Sequence, residues 1–164
     1  MFVFVFVCVC VSLSLINFKF VALLVGEFVV NIMSDWFLES ANHTSGAFPP
    51  SVSEIDLCAL SLLPSLSLSV PRVQESAIHL ECTVQSIIPL INEDKVHSSS
   101  IVLGRIQRVH VLKEILIERE TERDGERKKQ RPVVDWRKLR PVGRLGGDSY
   151  TMVTNEREMK RPKV

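Results

Sequence analysis

The sequence has no Cys-x-x-Cys pair. Its four cysteines are Cys8, Cys10, Cys58 and Cys82, and the first two sit inside an apolar run. Such spacing argues against a disulfide framework or a zinc site and leaves a reducing compartment as the default. Charge of one sign is also lacking: 20 Lys and Arg face 19 Asp and Glu, for a formal net charge of +1. No clustered basic face therefore points to nucleic acid or to an acidic substrate. His43, His97 and His110 lack metal-ligand spacing, so no metal is expected. No strand–helix–strand alternation runs along the chain, which argues against a doubly wound nucleotide-binding fold. What is present, 164 residues of which 46% are hydrophobic, suffices for one domain around one sizeable core.

One long uncharged run opens the chain, from Phe2 to Phe18, before Lys19 interrupts it. Three readings stand side by side. As a helix the run spans about 25 Å, just short of a bilayer core. It lacks the basic start and small-residue cleavage site of a secretory signal. As a strand it is apolar on both faces and needs burial on both. A further reading concerns codons: Val-Cys-Val-Cys is what a GT repeat encodes, and Ser-Leu-Ser-Leu what a TC repeat encodes. On that view residues 1–25 are a low-complexity leader, either a gene-model artefact or an anchor.

Beyond it, GEFVVNIM reads as a buried strand. DWFLESAN reads as a short helix capped by Ser34 or Asp35. NHTSGAFPP is a loop, because Gly46 and the Pro49–Pro50 pair sustain neither regular structure. SEIDLCAL is a second short helix with Ser53 as its cap and Asp56 placed for a capping box. Leu66, Leu68 and Val70 alternate with Ser65, Ser67 and Ser69, which predicts a half-buried strand. A longer strand runs from Glu75 to Ile87. Ile78, Leu80, Cys82 and Val84 share one face; Ala77, His79, Glu81, Thr83 and Gln85 share the other. INEDK is a turn, and Ile101–Leu112 a strand that Gly104 interrupts as a bulge or a close approach. The charged stretch 113–132 offers little apolar surface and is expected to be a disordered insertion. VDWRKL reads as a short helix, and RPVGRLGGDSY carries a Gly-Gly turn into a last strand. Residues 154–164 form a basic tail. The fold class is mainly β with short inserted helices, an antiparallel barrel or sandwich.

Four blocks occur in order: GEFVVNIMSDWFLESANHTSGAFPPSVSEIDLCAL, PSLSLSVPRVQESAIHLEC, SSSIVLGRIQRVHV and VDWRKLRPVGRLGGDSY. Together they resemble the flavin reductase-like, FMN-binding family with a split β-barrel. The resemblance covers about Gly26–Val111 and Val134–Tyr150. It leaves out residues 1–20 and the charged insertion, so the domain is expected over 26–153. The resemblance implies a six-stranded antiparallel barrel, usually a homodimer in the cytoplasm, with FMN in a cleft near the subunit interface. It implies hydride transfer from NAD(P)H to flavin. The family's N-terminal strands, with their Asn-x-Ala-Pro-Phe-Ser and Lys-Asp-Thr segments, have no counterpart here. Their absence implies weakened FMN affinity, because a phosphate needs several donors to replace its water. It also implies an unpaired sheet edge. The alternatives to a reductase are a truncated, non-catalytic barrel fragment and a membrane-anchored form tethered through residues 2–25.

Site candidates follow. Asn42, Thr44 and Ser45 match the family's Asn-x-Thr-Ser segment and are either polar contacts to the cofactor or turn-forming groups. Asn42-His43-Thr44 is also a glycosylation sequon, of consequence only behind a secretory leader. Glu75-Ser76 and Glu81-Cys82 match the family's Glu-Ser and Glu-Cys pair, which makes Ser76 a cofactor contact. His79 and Glu81 on one face could line a pocket or form a polar pair on the wet face. Cys82 reads as core. Gly146 and Gly147 let the backbone approach a flat ring or a phosphate. Arg144 can pair with an anionic group, and Tyr150 can pack on a flavin or nicotinamide edge. The alternative for this segment is a plain turn with a surface Arg and a core Tyr. Trp36 and Trp136 read as helix-to-barrel packing. No protein base is expected, because flavin carries out the hydride chemistry.

Overall fold

The computed structural model describes residues 25–46, 48–49, 51–123, 126–159 and 162. The leader before Val25 lies outside them, as do parts of the basic tail. Strand β1 (Glu27–Asn31) pairs antiparallel with β4 (Ile78–Ile91), which pairs antiparallel with β5 (His97–Val111). The β-branched and aromatic residues of EFVVN suit this pleated, half-buried position. Strand β1 matches only the Asn31-to-Glu27 stretch against His79–Thr83, so among the described residues the rest of β4 and β5 continues as a two-stranded arm. Gly104 of β5 is a close approach: a Cβ there would run into the ring of Phe28 on β1.

Strand β4 begins at Ile78 rather than Glu75 and runs on to Ile91 rather than Ile87, and bulges after Glu81 and after Val84 break its strict alternation. Leu80, Glu81 and Cys82 are all buried although neighbours on a strand point to opposite faces. The sheet is therefore covered on both sides here, and His79 and Glu81 do not lie on a wet face. Glu81 is 0% exposed and His79 5%.

The expected strand over residues 65–70 is not a strand. Only the short pair β2 (Leu62–Leu63) and β3 (Arg72–Val73) forms a ladder, and residues 66–70 bend between them. The reason lies in where the amides go. Leu66 N–H and Ser67 N–H donate to the Glu81 carboxylate at 2.9 and 2.7 Å, and Ser69 N–H donates to Glu27 at 2.8 Å. Carboxylates take the place of a neighbouring strand.

The described residues of the charged stretch form strands, contrary to expectation. Strands β6 (Leu116–Arg123) and β7 (Glu126–Val134) form an antiparallel hairpin. Its apolar anchors sit at the base, where Leu116 faces Val134 and Ile117 faces Val133. Asp135 N–H closes the base on the Ile115 carbonyl at 2.8 Å. Ile115 is buried in a small core with Ala77 and Leu139, against which Ile78, Val111 and Val134 pack. A hairpin fixed at its root needs only its backbone ladder farther out.

The short helices follow their caps with one exception. Ser53 accepts from Asp56 N–H at the start of α2 (Glu54–Leu57), and Asp135 accepts from Arg137 N–H at the start of α3 (Trp136–Leu139). Helix α1 (Leu38–His43) instead follows a 3-10 turn at Asp35–Phe37, and neither Ser34 nor Asp35 caps it. Ser34 is committed to a backbone bridge with Pro141, and the Asp35 carboxylate is taken by Arg140 at 2.6 and 2.8 Å. Strands β8 (Val142–Gly146) and β9 (Ser149–Met152) close the described fold as a hairpin.

Trp36 is 42% exposed, and its indole N–H donates to the Glu75 carbonyl. Trp136 donates to Glu156 and lies under the Arg137 guanidinium. Neither indole is closed off as pure packing.

Candidate functional site

A latch between residues distant in sequence builds the site. Asp35 N–H donates to the Arg140 carbonyl, and Val142 N–H to that of Met33. Arg140 adopts a left-handed backbone with φ of 49°, ending α3 and turning the chain into β8. These bonds seat the β8–β9 hairpin beside α1. The end of α1 carries Asn42, and the hairpin carries Arg144 and Tyr150.

The three side chains meet. Arg144 Nη1 donates to the Tyr150 hydroxyl oxygen at 3.2 Å, and Arg144 Nη2 to the Gly147 carbonyl at 2.8 Å. The guanidinium lies 5.4 Å from the centre of the Tyr150 ring, a cation–π distance. The Tyr150 hydroxyl donates to Asn42 Oδ1 at 2.7 Å across 108 residues of sequence. Arg144 and Asn42 are exposed and Tyr150 half-buried. Gly146 and Gly147 have φ of 104° and 53°, and a Cβ on either would meet open space. Glycine is needed there for the turn, and the turn leaves bare backbone facing outward.

The other candidates have inward partners. Thr44 Oγ1 donates to the Ala41 carbonyl and Ser45 Oγ to that of Asn42, so both hydroxyls finish the last turn of α1. Ser76 is buried, with its hydroxyl within bonding distance of the Ile32 and Ile78 carbonyls, where it ties β1 to β4.

A second polar cluster was missed in part. Glu81 is paired with His110, whose spacing in the sequence gives no metal-ligand pattern, and not with His79. His110 Nε2 lies 2.6 Å from Glu81 Oε1, and Arg72 Nε 3.9 Å from it. Burial pushes the Glu81 carboxyl up, but bonds from Leu66 N–H, His110 and Ser67 N–H outweigh it and bring its pKa to about 2. His79 lies edge-on to His110 and is bonded to the Val73 carbonyl. Its own pKa is lowered, chiefly by burial. The register could have signalled the pair, because β4 and β5 set His79 opposite His110 and Glu81 opposite Arg108. Cys82 is 1% exposed, and burial raises its thiol to about 11, which makes it an inert core group.

No helix among the described residues is long and apolar enough to cross a membrane. A family model described as "Flavin reductase like domain" matches residues 7–137. That span takes in part of the leader and the charged hairpin, and it stops before the Arg144–Tyr150 turn. An uncharacterised protein of Halalkalibacterium halodurans is 31% identical over 140 residues, which is 85% of this chain and 61% of the relative. An uncharacterised protein of Bacillus subtilis is 27% identical over 84% of this chain and 62% of its own length. The chain thus spans about three-fifths of the curated relatives it matches. Among solved structures, nitrilotriacetate monooxygenase component B from Bacillus cereus superposes with a TM-score of 0.73 at 29% identity, covering 87% of this chain and 64% of that one. A split-barrel-domain protein from Shewanella frigidimarina superposes with a TM-score of 0.72 at 16% identity, over 92% and 68% of the two chains, and shows the fold alone. With a mainly β architecture that matches split-barrel structures, and a family match over well more than half of its residues, this chain belongs to the flavin reductase-like domain family.

Proposed function

We propose that the chain binds FMN and serves an oxidoreductase that takes hydride from NADH or NADPH, acting as a homodimer in the cytoplasm. The observation that carries this reading is the convergence of Asn42 with the Arg144–Tyr150 turn, distant in sequence yet sharing one hydrogen-bonded cluster with Arg144, Gly147 and Tyr150. The donor set fits a flavin: a guanidinium and a side-chain amide beside a half-buried aromatic ring and two glycines without Cβ. Flavin, when bound, supplies the hydride-accepting chemistry. The protein's part is to bind and orient. Arg144 and Asn42 offer donors, Gly146 and Gly147 permit close approach, and Tyr150 offers a ring face. Thr44, Ser45 and Ser76 hold the frame from behind through their backbone partners. Two buried cysteines without a disulfide, Cys58 and Cys82, are in keeping with a reducing compartment.

The test is to purify the chain and titrate it with FMN, following flavin fluorescence. A saturable change is expected. Its absence up to about 1 mM, a ceiling equal to roughly −4 kcal/mol of binding, would remove the reading and leave a non-catalytic domain fragment.

A further inference from the structure

We infer that the Arg144–Tyr150–Asn42 cluster is a donor-only subsite for a phosphate monoester, and that Tyr150 is the positioning residue that gives it this polarity. The reading above enters only in naming the ligands, FMN and a nicotinamide dinucleotide.

The argument starts with proton directions. A guanidinium can only donate. The Tyr150 oxygen therefore accepts from Arg144, and its own hydrogen is left for Asn42. That hydrogen needs an acceptor, which assigns Oδ1 of Asn42 to the phenol. The Asn42 amide is then fixed with its two N–H bonds turned away from Tyr150. Arg144 uses two of its five N–H bonds, on Tyr150 and the Gly147 carbonyl. Among the described residues, none of the remaining N–H groups of Arg144 or Asn42 has a partner. The Asn42 and Tyr150 side-chain oxygens are already engaged with each other. What faces outward is a set of donors and one positive charge on bare glycine backbone. The group that such a set recognises is compact, rich in acceptors and anionic. A phosphate monoester meets that description, either that of FMN or the 2′-phosphate of NADPH.

Asp148 of the same turn is exposed and forms no ion pair with Arg144. Its charge opposes an anion, so Asp148→Asn should tighten binding.

Tyr150 is the chain's single tyrosine, so a protein labelled with ring-13C tyrosine carries one reporter signal inside the subsite. The experiment titrates the labelled full chain with FMN against riboflavin, NADPH against NADH, and inorganic phosphate alone. A saturable shift with FMN but not riboflavin places the flavin's phosphate here. A shift with NADPH but not NADH places the dinucleotide's. Arg144→Gln, with its amide spectrum otherwise unchanged, should erase the preference, on the order of tenfold in affinity. Tyr150→Phe, followed by calorimetry, should lose a smaller share of it, and Asp148→Asn should raise it. The inference is overturned if phosphorylated and unphosphorylated ligands shift the signal alike, or if no phosphate-bearing ligand, inorganic phosphate included, shifts it. If neither flavin binds, the reductase reading falls by itself. The NADPH and inorganic phosphate arms then still decide the subsite.

Discussion

Two polar clusters in this molecule use the same chemistry to opposite ends. Around Glu81, a carboxylate is buried and satisfied: two loop amides, His110 and Arg72 surround it. Around Arg144, the groups are exposed and partly unsatisfied. The first cluster has no capacity left, so its effect is confined to the fold, where it holds residues 66–70 against the β4–β5 sheet. The second keeps donors in reserve, so it can act on something else. Capacity left over, more than residue type, separates a structural network from a binding one.

The sharpest way to break this comparison is Glu81→Ala. It strands two amides and His110 without their partner, and a loss of about 3–5 kcal/mol is expected for a broken buried network. Urea denaturation measures it, and a loss comparable to a surface change would mean the cluster is not structural. Gly104→Ala comes next, at about 1–3 kcal/mol, because the new methyl meets the Phe28 ring and either β1 or β5 must shift. Acid probes the same side of the contrast more gently. His79 and Glu81 both have lowered pKa values, so the unfolded chain binds more protons than the native one as pH falls. Stability should begin to decline below about pH 6.5 through His79, and decline further between about pH 4.5 and 2 through Glu81. Thermal unfolding across that range reads the slope, and Glu81→Gln should flatten its lower part. Smallest is Arg144→Gln, expected to stay within about 0.5 kcal/mol of the parent in stability while changing ligand preference. A large stability loss there would erase the distinction between the clusters.

The same contrast explains what the sequence disclosed. The turn at Gly146–Gly147, the cap at Ser53, the short helix after Asp135 and the close approach at Gly104 were legible because each rests on local rules. Asn42, Arg144 and Tyr150 stood out through motif resemblance, but nothing local told that a phenol would bridge them. Glu81 misled because a carboxylate in an alternating strand normally faces water; here a loop from elsewhere covers it. Residues 65–70 misled for the matching reason. Period-two alternation reports side chains, and the amides of that stretch were claimed by Glu27 and Glu81. The charged hairpin misled because its ordering force sits at its ends, in Ile115 and Leu116 at the near edge of the window whose composition looked solvated and in Val133 and Val134 just beyond it.

The Asp35–Arg140 latch has a kinetic consequence. It joins residues 105 positions apart, so the two ends of that long span must come together before Tyr150 can find Asn42. Closing so long a span is slow and entropically late. Recognition by this cluster would then double as a certificate of completed folding: a half-built chain, however well its central sheet has formed, would present no ligand grip at all.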